Sequence, residues 1–173
     1  QYWKSMLADA GFKESDVPTT WKAYWDFWCD KVQPAHRSKT GKRTYAVGHP
    51  MGVDSSDSFY SFLTFMDAYN VKLVDDNGKL LVDDPKVKAG LVNTVRDYSS
   101  IRTRGCTPPS STSWKDPDNN VAFHNRTILL THNATISIVA KWLDDSNNPS
   151  QTAEQRAQAK KNVDENIATS GLP

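Results

Sequence analysis

Apolar residues recur at helical spacing most clearly in DVPTTWKAYWDFWCDKV, where Trp21, Tyr24, Trp25, Trp28 and Val32 share a face. Thr19 or Thr20 is placed to cap this helix. A tryptophan cluster invites a sugar-stacking reading, but at this spacing it is better read as an apolar stripe turned to a core. Upstream, residues 1–10 are read as a short helix with Tyr2, Trp3, Met6 and Leu7 on one side, stopped at Gly11. Downstream, Pro34 and the polar run AHRSKTGK are expected to break the tryptophan helix.

Arg43–Gly48 then reads as a strand, and HPMGVDSSD as a loop at its carboxyl end. A helix carrying Phe59, Phe62, Leu63 and Met66 follows. Asn77-Gly78 between the apolar runs of Leu73–Val82 predicts a β-hairpin, because both turn residues tolerate positive φ. Asp84 caps a helix with Pro85 in its first turn, and Val87, Leu91, Val95 and Tyr98 form its stripe as far as about Ser100. After the loop CTPPSSTSW come a short helix opened by Asp116, a buried strand at Thr127–Thr131, and a helix over Ile136–Leu143. The stretch TAEQRAQAKKNVDENIA has helix propensity but few apolar residues, as a surface helix would.

A chain of 173 residues suits one domain. Its charges nearly cancel, to +1, so no long-range field holds nucleic acid or draws the chain onto an anionic membrane. No apolar run approaches the roughly 20 residues that a membrane helix needs, so no membrane insertion is expected. The first residues lack the basic start and apolar core of a signal peptide, and any export signal is expected to have been removed. Cys29 and Cys106 match no metal or redox spacing; either a disulfide or two buried thiols fits.

Motifs that carry chemistry are mostly excluded. AHRSKTGKR ends like a phosphate-binding loop, but His36 replaces its first Gly and Arg43 its Ser or Thr. There is no G-x-S-x-G and no H-E-x-x-H. His36, His49, His124 and His132 never pair at i, i+4, so no metal and no cofactor is expected. Asp54 with Asp57, Asp75-Asp76 and Asp144-Asp145 lie in turn-like contexts where Asp is common for backbone reasons. Two matches to the N-glycosylation pattern, at Asn125 and Asn133, read as chance. What remains is two polar loops, each after a strand, one over His49 to Asp57 and the other over His132 to Ser137. If both face one crevice, their short neutral groups suit hydrogen bonding to a polyol.

The order of these elements resembles the second lobe of family 1 bacterial extracellular solute-binding proteins, the receptors of ABC importers. The resemblance is carried by LADAGFKESDVPTTWKAYWDF, the Leu73–Val82 hairpin, the helix begun at Asp84-Pro85, and the segment Ala122–Ser137. It covers about residues 5–143, and its specificity lies in the succession of motifs. It implies a helix-rich α/β fold: a type II periplasmic-binding-protein lobe with a small sheet flanked by helices and a β-hairpin. It implies that residues 1–173 form a single domain, most of a second lobe, with the first lobe and the C-terminal helices absent. It implies no enzyme, a periplasmic or extracellular setting, and as partners a sugar, polyol or similar solute, the permease subunits and the first lobe. The ligand contacts carried over are His49, Pro50, Met51, Asp54, Ser55, Ser56, Asp57, Asn133, Thr135 and Ser137, with Trp114 and Phe123 as secondary candidates. Maltodextrin-type members have a large aromatic where Thr135 stands, which favours a small solute here. Two other readings compete: a stand-alone carbohydrate-binding or adhesion module, and a glycan-active enzyme built on Asp54 and Asp57.

Overall fold

The computed structural model describes residues 1–133 and 135–173. Four short strands form one mixed sheet in the order β2-β3-β1-β4: β1 is Tyr2–Trp3, β2 Tyr45–Gly48, β3 Ile128–Thr131 and β4 Ile167–Ala168. β2 and β3 run parallel, with Tyr45 opposite Ile128, Val47 opposite Leu130 and Gly48 opposite Thr131. β1 lies antiparallel to both β3 and β4. Every residue of β2 and β3 is buried, as a parallel pair covered on both faces requires. The helices are α1 (Lys4–Asp9), α2 (Trp21–Asp26), α3 (Gln33–Thr40), α4 (Ser56–Ala68), α5 (Pro85–Thr103), α6 (Asp118–His124), α7 (Ser137–Asn147) and α8 (Ala153–Lys161). The helix-rich α/β architecture is the one expected.

The tryptophan stripe does face the core: Trp28 is fully enclosed and Trp25 nearly so, while Trp21 covers the edge of the same cluster. The expected break at Pro34 does not occur. The helix runs on through a π segment, Phe27–Val32, into α3, and ends at Gly41 in the left-handed conformation, φ 68°. The π segment explains how. The Gln33 N–H already bonds back five residues to the Trp28 carbonyl, so the ladder has shifted register one residue before Pro34. The proline's missing N–H therefore leaves no regular i→i−4 bond unmade.

The N-terminal reading also needs correction. Tyr2 and Trp3 are not on a helix; they form the strand that bridges β3 and β4, and α1 begins only at Lys4. Trp3 anchors this strand by stacking on Phe123 at 4.8 Å and donating its indole N–H to the Phe123 carbonyl. The Asn77-Gly78 turn forms, with Gly78 at φ 82°, but its arms are held by a single bridge between Val74 and Leu80. Asp84 caps α5 as read, accepting from the N–H groups of Lys86 and Val87. The C-terminal helix α8 runs on through a π segment, Asn162–Asn166, and only the last two residues of the stretch read as helical, Ile167–Ala168, turn into β4.

Cys29, on the π segment, and Cys106, just after α5, are joined in a disulfide with Cα atoms 5.2 Å apart. This resolves the alternative left by the sequence, and it ties the tryptophan helix to the chain that leads toward Trp114. The bond spans 77 residues, so closing that loop in the unfolded chain is worth about 4 kcal/mol. Replacing both cysteines by Ala, or reducing the bond, is expected to lower the unfolding free energy by about that amount. Urea unfolding curves with and without reductant measure it; coincident midpoints would rule out this contribution.

Candidate functional site

Because β2 and β3 end level with one another, the loops after them leave the sheet side by side. The first residues of each are histidines, and the rings of His49 and His132 lie 6.5 Å apart. His49 is wholly enclosed among His132, Phe65 and Tyr98, and among the described residues neither of its ring nitrogens has a hydrogen-bond partner. Burial pushes its pKa down to about 3, with the neighbouring His132 adding to the effect. Burial lowers His132 to about 4. Both imidazoles are therefore neutral packing groups at pH 7.

The first loop is held from the side by the segment between α5 and α6. The Met51 N–H bonds to the Ser111 carbonyl at 2.9 Å, and Gly52 lies so close to Trp114 that a Cβ would sit 2.3 Å from its carbonyl oxygen. Asp116 then acts as a cap supplied from elsewhere in the chain. Its carboxylate accepts from the Ser55 and Ser56 hydroxyls, each at 2.7 Å, and from the Asp57 N–H at 3.0 Å, at the open end of α4. Those bonds, that from the Asp57 backbone foremost, lower the Asp116 pKa to about 2. Asp57 moves the other way, raised by burial and by the Asp116 charge.

The second loop is joined to α6 in the same manner. Asn133 donates to Asn120 Oδ1 at 2.6 Å and to Ser137 Oγ at 3.3 Å, and Asn120 Nδ2 donates to Ser137 Oγ at 3.0 Å. Thr135 folds its N–H and hydroxyl onto Asn133 Oδ1, and its hydroxyl also reaches Ser137. Ala134 lies outside the described residues. Asn119 completes the link by donating to Asp57 at 3.3 Å. The result is an open hollow of about 260 Å³ lined by Asp57, Asp116, Pro117, Asn120, Asn133, Thr135 and Ser137. Among the described residues its lining has amides, hydroxyls and two carboxylates but no Lys or Arg.

The two loops thus converge, though not with every residue named for them. Asp57, Asn133, Thr135 and Ser137 meet in the hollow; Asp54 and Trp114 line a separate one of about 250 Å³ beside the first loop. Asp54 and Asp57 consequently do not face each other as a dyad would. Ser55 and Ser56 are engaged with Asp116. His49, Pro50 and Phe123 are buried, and Met51 is half-buried. Sequence reading missed Asn119, Asn120 and the part played by Asp116. A signal was present: adjacent asparagines are poor helix formers, and inside a short helix they suggest side chains engaged elsewhere.

The profile of the bacterial extracellular solute-binding protein family matches residues 1–166. The chain belongs to that family. Searches of curated proteins and of solved structures return no match. Membership places the chain outside the bacterial cytoplasm, in a family that captures small solutes for transport components and is in general not enzymatic. Among the described residues no helix is long and apolar enough to cross a membrane.

The histidine pair yields a pH dependence of known sign. Unfolded histidine takes up a proton near pH 6.5, whereas His49 in the fold resists until about pH 3, so the unfolded state binds more protons in between. Stability is whole above pH 6.5 and is lost as pH falls toward 3. The slope for one such proton is about 1.4 kcal/mol per pH unit. His49→Phe is expected to flatten the decline between pH 6 and 4, as read from thermal melting against pH. A variant profile parallel to the native one would refute the assignment to His49.

Proposed function

We propose that the chain is the solute-capturing part of an ABC importer receptor, and that the hollow beyond the carboxyl ends of β2 and β3 is its half of a site for a small neutral polyhydroxylated solute. The observation that carries this reading is the convergence of two polar loops and α6 on one open hollow at the carboxyl ends of parallel strands. That is where α/β folds take ligands. Asn120, Asn133, Thr135 and Ser137 offer both donors and acceptors, which is what a row of hydroxyls requires. The carboxylates of Asp57 and Asp116, with no cation in the lining, oppose an anionic solute.

The hollow is open on its outer side, so a receptor that encloses its solute needs a facing wall. A first lobe closing over this one would supply it, with permease subunits receiving the solute afterwards. In this reading the chain alone binds weakly, because closure contributes much of the affinity.

The test is an NMR titration of the chain with sorbitol, glucose and gluconate. Sorbitol or glucose is expected to shift the amides of residues 116–120 and 133–137 with millimolar affinity, and gluconate to do so less. Asn133→Ala is expected to weaken binding roughly tenfold by removing a two-bond donor and freeing Thr135. Gluconate binding as tightly as glucose, or shifts confined to other parts of the surface, would count against the site and the solute class.

A further inference from the structure

The net charge of +1 conceals an uneven distribution. The run AHRSKTGKR, whose spacing excludes a phosphate-binding loop, carries Arg37, Lys39, Lys42 and Arg43 within seven residues. Arg37 and Lys39 lie in the last turn of α3, where cations suit the helix dipole; Lys42 and Arg43 follow beyond Gly41, where the dipole explains nothing. Lys39, Lys42 and Arg43 are exposed and Arg37 is half-buried. Among the described residues none of the four is in an ion pair, although Lys and Arg side chains elsewhere in the chain pair with Asp or Glu.

Two of the four are also held in place. The guanidiniums of Arg37 and Arg43 both lie over the Tyr45 ring, 4.9 and 5.8 Å from its centroid, and Arg37 Nε donates to the Thr44 carbonyl at 2.6 Å. Like charges are thus gathered on one ring with no carboxylate paired to either. Burial lowers the pKa of His36 on the same helix, and of the charges acting on it Asp9 of α1 opposes the effect while Lys42 adds to it. Tyr45 opens β2, so the patch stands at the amino end of the parallel pair, away from the hollow and its two carboxylates at the other end. At physiological salt fields are screened within about 8 Å, so a surface approaching the amino end meets the patch and not the net charge.

We propose that Arg37, Lys39, Lys42 and Arg43 form an adsorption surface for a bilayer bearing anionic phospholipids, on which the chain rests without inserting. Phosphate suits the donors: the guanidinium forks match it bidentately and the lysines add point charges. A protein partner fits less well, because protein interfaces set an apolar centre inside a polar rim. Among the described residues none of the exposed large hydrophobics lies on α3 or on the loop leading to β2. A bilayer needs no such centre, since its phosphates are many and interchangeable. The family works outside the cytoplasm for transport components, so a bilayer is close at hand. Contact through the amino end leaves the hollow uncovered.

The experiment is co-sedimentation of the chain with vesicles of phosphatidylglycerol and phosphatidylcholine in equal parts, and with phosphatidylcholine alone. Binding to the anionic vesicles at low ionic strength is expected, with none to the neutral ones and loss at about 0.5 M salt. Lys39→Gln combined with Lys42→Gln leaves the arginines and their Tyr45 contacts in place, and is expected to weaken binding roughly twenty-fivefold, about fivefold per charge. Lys79→Gln combined with Lys88→Gln removes the same charge from the hairpin and α5, and is expected to leave binding unchanged. Equal weakening by the two pairs would reduce the effect to net charge and overturn the proposal. Failure to sediment with the anionic vesicles overturns it as well. So does a poly-glutamate peptide bound more tightly than those vesicles, which would make the partner an acidic protein.

Discussion

The level ending of two parallel strands is the constraint from which the rest follows. Gly48 stands opposite Thr131, whose hydroxyl donates to the Gly48 carbonyl at 3.2 Å, and beyond this rung neither strand continues. A side chain at position 48 would be crowded, since its Cβ would lie 2.1 Å from Ile128 Cδ1. Close approach here seats the two following histidines against each other, and from that point the two loops have to diverge around a common space. The sheet fixes where the hollow lies; the loops decide only what lines it.

Divergent polar loops have little to hold them, and this chain supplies the restraint from a third segment. The Val47 N–H bonds to the Cys106 carbonyl, the Met51 N–H to Ser111, and the end of α4 to Asp116, so the stretch after α5 runs alongside the first loop as a splint. The disulfide at Cys106 fastens that splint to the buried π segment. A constraint on the unfolded chain and the positioning of a surface loop are thus served by the same bond. The loop owes its shape to contacts more than 50 residues away in sequence, such as Ser55 to Asp116, 61 residues apart.

This separation explains what sequence could and could not reveal. Where a local pattern decides the outcome, it was legible: the stripe from Trp21 to Val32, the Asp84-Pro85 start of α5, the buried run Ile128–Thr131 and the two polar loops all appear as read. Where the outcome depends on a partner far along the chain, it was not. Tyr2 and Trp3 have the spacing of a helical face, and only the antiparallel edges of β3 and β4 make them a strand. Pro34 is a breaker by any local rule, and a register shift begun at the Trp28 carbonyl overrides it. Asp116 was legible as a cap, but of the wrong helix: the terminus it satisfies is that of α4, not α6.

The hollow itself is not a set of vacant donors and acceptors. Asn133, Asn120, Thr135 and Ser137 already satisfy one another, so a solute gains only by exchanging those bonds, and each exchange is nearly neutral in free energy. A site of this kind discriminates strongly against a ligand that leaves any member unpaired, but it generates little affinity from polar contacts alone. The affinity has to come from apolar contact or from enclosure. On the reading of the hollow as a solute site, the polar network would supply orientation, and the driving force would lie with surfaces that meet the solute's carbon face or close over it.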